Sequence, residues 1–268
     1  KNGSGQDINR HRPRLASHRK SYKNSADKIA KEVKFIHANF SELTGALAGL
    51  GISTINGGII ADLGISSNQL DNSERGFSFQ REGPLDMRMD RDNSITAEKL
   101  VNELNETELA NIIYKYGEER NSRAIARAII KQRPLHTTTQ LVSAIESVNK
   151  FRSYKIHPAT RTFQALRIAV NKELENLEIF LQQTSVLLSP GARLVIIAFH
   201  SLEDRIVKRF FTHMASPCIC PPRQPICTCQ KKKEFKIITP KPVTASDEEI
   251  LANIRSRSAK LRAAEKIT

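Results

Sequence analysis

The sequence from Ile59 to Asp90, IIADLGISSNQLDNSERGFSFQREGPLDMRMD, decides how the rest of the chain is interpreted. Its first residues, with Gly58, are short, uninterrupted and apolar, which is typical of a strand buried on both faces of a parallel sheet. Asp62 ends this run, and small polar residues follow it: Gly64, Ser66, Ser67 and Gln69. Ligands of open α/β sheets lie beyond the carboxyl ends of the strands, so this pattern indicates a small-molecule site. A solvated strand-to-loop junction is the alternative.

The segments on either side alternate strand and helix. Val33 to His37 alternates enough to predict a strand, and Ser41 to Leu50 predicts a helix that ends at Gly51. From about residue 94 to 188 the periodicity is helical, and strand character returns from Leu194 to Phe199. The pattern predicts an α/β fold with a helical insertion, divided into residues 1–93, 94–188 and 189–268.

Three local patterns add further expectations. Ser201, with Asp204 three residues later, predicts a capping box on a helix that runs to Met214. The basic tail, with Lys231 to Lys233 and Arg255 to Arg262, is interpreted as a surface helix or as a contact to an RNA backbone. A basic stripe at helical spacing fits solvated surface and phosphate contact equally well; it consists of Arg120, Arg123, Arg127 and Lys131.

Composition limits the partners. The 268 residues carry 42 Lys and Arg against 28 Asp and Glu, a formal net charge of +14, which favours a polyanionic partner. No apolar run approaches the roughly 20 residues that a membrane span needs. The N-terminal residues have charge but no apolar core of a signal peptide, so a cytoplasmic protein without membrane contact is expected. The sequence leaves a homodimer as one possible state of assembly.

Seven motifs in one order carry a family resemblance. The first three are DLGISSNQLD, ERGFSF and GPLDMRMD within the quoted stretch; the others are YGEER (Tyr116–Arg120), HPATRTFQALRIAVNKEL (His157–Leu174), PGARLVIIAFHSLEDRIVKRFF (Pro190–Phe211) and RSAKLRAAEK (Arg257–Lys266). Together they resemble the ribosomal RNA small-subunit cytosine-N4 methyltransferase family. The resemblance covers the chain from about Val33 onward.

The resemblance implies a fold, a reaction and a cofactor. The fold is α/β, a Rossmann-like class I methyltransferase sheet with an all-helical insertion domain that serves RNA recognition. The reaction is methylation of N4 of a specific cytidine in 16S ribosomal RNA, with S-adenosyl-L-methionine as cofactor and the 30S ribosomal subunit as partner. An organellar relative that acts on mitochondrial ribosomal RNA is the second option.

The resemblance also implies roles for individual residues. Asp7 matches the acid that binds the ribose hydroxyls of the cofactor, Phe40 lies against its adenine, and Asp62 and Gln69 contact it. Ser66 and Ser67 are then left for the acceptor base, so the catalytic oxygens are expected from Asp62, Ser66 and Ser67. His200 at a strand end is a candidate for holding that base. Phe77 or Phe79 could stack on it, and core packing explains either ring equally well.

One part of the family pattern is missing. The first strand and Gly-rich loop of the family should precede Asp7, and Gly3-Ser4-Gly5 does not replace them. Two interpretations follow: a fragment of a longer enzyme, which the intact downstream motifs favour, or a non-catalytic RNA-binding or ribosome-assembly protein on a degenerate methyltransferase fold. A DNA cytosine-N4 methyltransferase is disfavoured, because the chain has no [DSN]-P-P-[YF] motif.

Four cysteines lie close together in a proline-rich segment. Cys218, Cys220, Cys227 and Cys229 form a C-x-C, six-residue gap, C-x-C array. Four thiolates could bind zinc, but zinc sites usually use C-x2-4-C spacing, and the resemblance implies no required metal. The favoured expectation is a loop of reduced cysteines without metal, and zinc is the alternative.

Overall fold

The computed structural model describes residues 33–148, 157–221, 224 and 226–268, which group into two compact units, Lys1–Asn39 and Phe40–Thr268. In the first unit the described residues, 33–39, form neither helix nor strand. The strand predicted over Val33–His37 is therefore wrong. Alternating side chains do not make a strand unless a neighbouring strand pairs with its backbone. Asp7 lies outside the described residues.

Helices account for most of the second unit. The helix predicted over Ser41–Leu50 is present as a 3₁₀ turn (Phe40–Glu42) followed by a short α-helix, and Gly51 beyond it has φ of 71°. In chain order the described α-helices are α1 (Leu43–Ala48), α2 (Ser67–Asp71), α3 (Ala97–Glu103), α4 (Glu106–Gly117), α5 (Ser122–Lys131), α6 (Thr138–Val148), α7 (Ala159–Asn171), α8 (Glu173–Leu187), α9 (Ser201–Ala215) and α10 (Asp247–Ala252). None of them is long and apolar enough to cross a bilayer.

Five strands in the described residues form one mixed sheet. They are β1 (Gly58–Asp62), β2 (Arg193–Ala198), β3 (Phe235–Ile237), β4 (Val243–Thr244) and β5 (Lys260–Lys266). β1 runs parallel to β2, while β5 lies antiparallel between β2 and both β3 and β4. The predicted α/β fold is confirmed, and both strands predicted around the site, ending at Asp62 and near Phe199, are present.

The burial predicted for β1 is wrong on one face. β1 lies at the edge of the sheet that the described residues form, with only β2 beside it. In addition, no described element covers the side chain of Ile60, which is 74% exposed. A continuous apolar run does not distinguish a central strand from an edge strand, because both have the same composition.

The basic tail forms a 3₁₀ helix (Ile254–Ser258) and then the strand β5, and not one surface helix. β5 pairs with every residue of β2, from Lys260 opposite Ala198 to Glu265 opposite Arg193. Alanine, lysine, arginine and glutamate favour helices in isolation, and tertiary pairing overrides that preference here. The charges inside the sheet have partners: Arg262 binds Asp204 at 2.6 Å, and Lys266 binds Glu234 at 3.0 Å.

The second unit has two apolar cores. One lies among α3 to α7 and includes Val101, Ile113, Ile129, Ile145 and Leu166. The other lies between the sheet and helices α8 and α9 and includes Leu177, Leu181, Ile196, Phe211 and Phe235. The described residues between α3 and α8 contain no strand, so the second core belongs to the sheet and the first to the helices. The three-part division of the chain remains a proposal.

The loop that follows α2 is fixed to α7. Arg75 is buried and donates hydrogen bonds to the carbonyls of Arg88 and Met89, while Asn171 of α7 bonds the backbone of Met87 and Met89. Gly76 has φ of 65°, and a Cβ there would lie 2.0 Å from the carbonyl oxygen of Pro84. The loop therefore folds on itself as only glycine permits at that position.

Candidate active site

The carboxyl ends of β1 and β2 lie side by side. Asp62, the last residue of β1, is opposite Ile197 of β2, and Leu63 N donates to Ile197 O at 3.0 Å. Gly64 turns the chain with φ of 93°, and a Cβ there would lie 3.6 Å from the ring of Phe199. The two strand ends form the edge at which ligands of parallel sheets bind.

Asp62 is exposed at this edge. Partial burial, and to a smaller extent the negative charge of Glu203, raise its pKa above the usual carboxyl value. Because Asp62 is partly buried and lies near the charge of Glu203, it suits a ligand group that donates hydrogen bonds to it and disfavours a further negative charge nearby. The expected position of Asp62 at a strand end is confirmed, while its contact with a cofactor stays a prediction.

Ser66, Ser67 and Gln69 begin α2 directly after this turn. Ser66 and Gln69 form a capping box: Gln69 N donates to Ser66 Oγ at 3.3 Å, and Ser66 N donates to Gln69 Oε1 at 3.0 Å. Both polar side chains are thus engaged with the helix end. The exposed hydroxyl of Ser67 makes no hydrogen bond within the described part of the chain. Among these three side chains, that of Ser67 is the one with no hydrogen bond within the described residues, and the Gln69 side chain uses only its oxygen in the capping box.

His200, not Ser201, caps α9. Backbone N–H of Glu203 donates to His200 Nδ1 at 3.4 Å, and Glu203 Oε2 accepts from the N–H groups of Phe199 and His200 at 2.9 and 3.3 Å. The capping box predicted for Ser201 and Asp204 is wrong by one residue. The strand β2 ends at Ala198, and the backbone of His200 is extended. The helix α9 therefore begins at Ser201, one residue earlier than a capping box on Ser201 requires.

Glu203 belongs to a buried polar cluster behind the strand ends. Its Oε1 lies 3.3 Å from Nε2 of His200, a buried atom that makes no hydrogen bond of good geometry to the described residues. Burial alone would raise the pKa of Glu203, but His200, the Phe199 N–H and Arg167 outweigh it and lower the pKa. Arg167 is paired with buried Glu173 through two hydrogen bonds of 2.8 Å. The cluster holds the start of α9 rigidly beside Asp62.

A second contact joins two of the sequence motifs. Glu118, in the YGEER segment, accepts hydrogen bonds at 2.7 Å from Ser201 Oγ and from Arg205. These bonds and the charges of Arg205 and Arg161 lower the pKa of Glu118. Because Glu118 ends α4 and Ser201 begins α9, this carboxylate fixes the helical block to the strand edge that carries Asp62.

The aromatic residues differ in exposure. Phe40 is 39% exposed and packs edge-to-face on Phe180 at 5.4 Å between ring centroids. Phe77 is buried in the helical core, so core packing explains it and a base cannot stack on it. Phe79 is partly buried and stacks on His157 at 4.6 Å. Phe40 therefore keeps an open face for the predicted adenine contact.

Sequence reasoning missed the buried cluster around Glu203. Glu203 stands inside the quoted motif Pro190–Phe211, but nothing in its spacing distinguishes it from the adjacent acid Asp204. Arg167 and Glu173 occur in another motif, and their pairing depends on the break between α7 and α8. The only available signal was the accumulation of charged residues inside otherwise apolar motifs.

These features define a Rossmann-like α/β domain with a ligand-binding edge at the ends of two parallel strands. A family model described as the MraW methylase family matches residues 7–267. The chain belongs to this family, and it is a methyltransferase.

Curated relatives support the assignment. A protein named ribosomal RNA small subunit methyltransferase H from Geobacter sp. (strain M21) is 52% identical over 240 residues, which cover 88% of this chain and 77% of that protein. Proteins of the same name from Heliobacterium mobile (49% over 246 residues, covering 90% and 79%) and Dehalococcoides mccartyi (56% over 210 residues, covering 78% and 60%) are also similar. The resemblance predicted from the motifs is confirmed.

Proposed function

We propose that this protein transfers the methyl group of S-adenosyl-L-methionine to N4 of a cytidine in small-subunit (16S) ribosomal RNA. The observation that carries the proposal is the exposed carboxylate of Asp62 at the end of a parallel strand, in a chain of the MraW methylase family. The names of the relatives supply the ribosomal RNA of the small subunit as substrate class. The net charge of +14 suits such a polyanion.

The residues present fit the cofactor. S-adenosyl-L-methionine has ribose hydroxyls and an ammonium group, which are donors, and an adenine ring. Asp62 offers an exposed acceptor, Phe40 an exposed aromatic face, and Gly64 a backbone without a side chain at the strand edge. When bound, the cofactor supplies a methyl group on a positively charged sulfur. Asp7 is proposed for the ribose and Gln69 for a cofactor contact on the resemblance alone.

The protein contributes mainly alignment. The amine of cytosine is a poor nucleophile because its lone pair is delocalised into the ring, so an acceptor for the N4 hydrogens must orient it. The Ser67 hydroxyl is exposed and unbonded within the described residues, and we assign it this role together with nearby backbone carbonyls. Ser66 supports it by ordering the first turn of α2.

His200 is assigned a positioning role. Its side chain is 8% exposed and its Nδ1 caps α9, so it does not present a ring nitrogen to an acceptor base. It acts on the site by holding Glu203, whose charge in turn affects Asp62. The rival function, a non-catalytic RNA-binding protein, is disfavoured because the chain matches a methylase family over residues 7–267 and its similar relatives are named methyltransferases.

Methylation of small ribosomal subunits tests the proposal. Subunits from a strain without the activity are incubated with radiolabelled S-adenosyl-L-methionine, and the modified nucleoside is identified by mass spectrometry. We expect N4-methylcytidine with the wild-type chain. Asp62→Asn, which removes the charge and replaces one acceptor oxygen by an NH2 donor, should lower the rate at least about 100-fold, because a lost electrostatic contact at a reacting centre typically costs that much.

The matched control is Asp247→Asn, an exposed carboxylate in the first turn of α10. It should leave the rate unchanged, and both variants should bind ribosomal RNA as the wild type does. The Geobacter relative serves as the positive control for the subunits. Turnover by Asp62→Asn equal to that of the wild type would remove Asp62 from the site. The non-catalytic function would be favoured if the wild-type chain binds the RNA without methylating it while the Geobacter relative methylates the same subunits.

A further inference from the structure

The four cysteines predicted to form a loose reduced loop are gathered at one point. They lie between the end of α9 and the start of β3, and Glu234 N donates to Met214 O at 2.9 Å where this connection closes. The Sγ atoms of Cys218 and Cys227 are 3.5 Å apart, those of Cys227 and Cys229 3.6 Å, and those of Cys229 and Cys218 3.7 Å. Cys220 and Cys227 are separated by 3.9 Å.

These separations match a tetrahedron around one ion. A Zn–S bond of about 2.3 Å in tetrahedral geometry places two sulfurs about 3.8 Å apart. All four sulfurs lie within 4.8 Å of one another, so they converge on a common centre and do not fall into two separate pairs. The cysteines are free thiols, and the measured separations are far longer than the roughly 2.05 Å of a disulfide.

The spacing argument against zinc loses its force in this geometry. C-x-C is tighter than the usual C-x2-4-C because one residue does not normally let two thiols face one ion. Here the chain turns within the first pair, since Cys220 N donates to Cys218 Sγ at 3.3 Å, and the two sulfurs of the second pair, Cys227 and Cys229, are 3.6 Å apart. Across the pairs, Ile219 N donates to Cys229 Sγ at 3.5 Å. Backbone N–H groups directed at the sulfurs are the outer contacts that stabilise thiolate ligands.

The surrounding charge is also suitable. Four thiolates around a divalent ion leave two negative charges. Lys231, Lys232 and Lys233 begin two residues after Cys229 in the sequence, so positive charge lies close along the chain to offset this excess. The cysteine cluster is partly open to solvent, because Cys227 is exposed and the other three cysteines are half-buried. An ion can therefore enter after the chain has folded.

We propose that Cys218, Cys220, Cys227 and Cys229 bind a single structural zinc ion. The four protein ligands complete the coordination, so the ion has no open position for substrate and takes no part in methyl transfer. Its effect is to order the connection between α9 and β3 and to fix the lysines that follow it. A multi-iron cluster is disfavoured, because its cysteines bind separate irons and cannot all lie this close together.

The first test measures the metal content of the full chain. The protein is purified without chelators and without an affinity tag that contains histidines, and its metals are determined by plasma mass spectrometry. We expect about one zinc per chain. Replacement by cobalt should give the visible absorption of a tetrahedral sulfur site. A metal-free chain with four titratable thiols, a chain whose cysteines are oxidised to disulfides, or a chain that holds iron instead would each overturn the proposal.

The second test locates the ion. Cys227→Ser and Cys229→Ser should each lower the zinc content to well below one per chain, while Thr228→Ala, which changes the residue between them and keeps every thiol, should retain it. Zinc that stays in both cysteine variants would overturn the site. If a cysteine variant does not fold, the wild-type protein provides the test. Blocking its thiols with a mercurial reagent should release zinc as the four thiols are modified. Zinc release that is unrelated to thiol modification would contradict the assignment.

Discussion

At the scale of single residues, Lys172 holds a backbone conformation that lysine disfavours. Its φ is 51°, and it separates α7 from α8, with an exposed side chain. Lys172→Gly should raise the free energy of unfolding by about 0.5–1 kcal/mol, because glycine adopts this left-handed conformation without a steric penalty. Equilibrium unfolding in urea, followed by circular dichroism, measures the change.

Lys172→Ala is the matched control. It removes the same side chain and keeps the Cβ atom that causes the penalty, so it should not stabilise the protein. Equal stabilisation by both variants would contradict the conformational explanation and would point to the lysine side chain itself.

At the scale of elements, the buried pair Asp204–Arg262 joins α9 to β5. Arg262 Nε lies 2.6 Å from Asp204 Oδ1, with side-chain exposures of 8% and 14%, and Lys260 adds a weaker contact at 3.5 Å. Asp204→Asn leaves the arginine charge inside the sheet without its partner. At neutral pH this should lower the free energy of unfolding by up to about 3–5 kcal/mol.

The effect of Asp204→Asn should depend on pH. Burial would raise the pKa of Asp204, but Arg262 and Lys260 outweigh it and lower the pKa below the ordinary value of 3.8. The carboxylate therefore contributes stability above that ordinary value and loses it as the pH falls through the lower folded pKa. The difference between wild type and variant should shrink below about pH 4. Asp247→Asn, which removes an exposed carboxylate, should show no such convergence, and a constant difference down to acid pH would refute the pairing.

The same elements indicate what sequence can and cannot predict here. β1 and its terminal Asp62 follow from a local apolar run, and the helical character of α5 from the helical spacing of its basic stripe, because both signals lie within one element. β5 does not, since its helix-favouring residues become a strand only by pairing with β2, which lies about 65 residues upstream in the sequence. The influence of Arg167 on Glu203 and the Glu118–Ser201 contact are missed for the same reason, because each joins segments far apart in the chain.

At the scale of the whole molecule, the charge of +14 raises the question of where RNA binds. The basic stripe is exposed on α5 and just before it, opposite the buried Ile125 and Ile129. Arg127 already pairs with Glu106 at 3.2 Å, so Arg120, Arg123 and Lys131 are the cations of the stripe that remain for phosphates. We predict that replacing these three by glutamine weakens binding to 16S ribosomal RNA. The slope of the logarithm of affinity against the logarithm of salt concentration should become less steep by about 2–3.

A second triple variant separates this local effect from the effect of net charge. Lys208, Arg209 and Lys241 are exposed cations outside the stripe, and their replacement by glutamine changes the net charge by the same amount. Binding is measured by filter retention over a series of salt concentrations. If the stripe contacts phosphates, only the first variant lowers the slope by that amount, because each lost contact removes the release of its own counterions. Equal losses in both variants would mean that total charge attracts the RNA and that α5 has no special role in binding it.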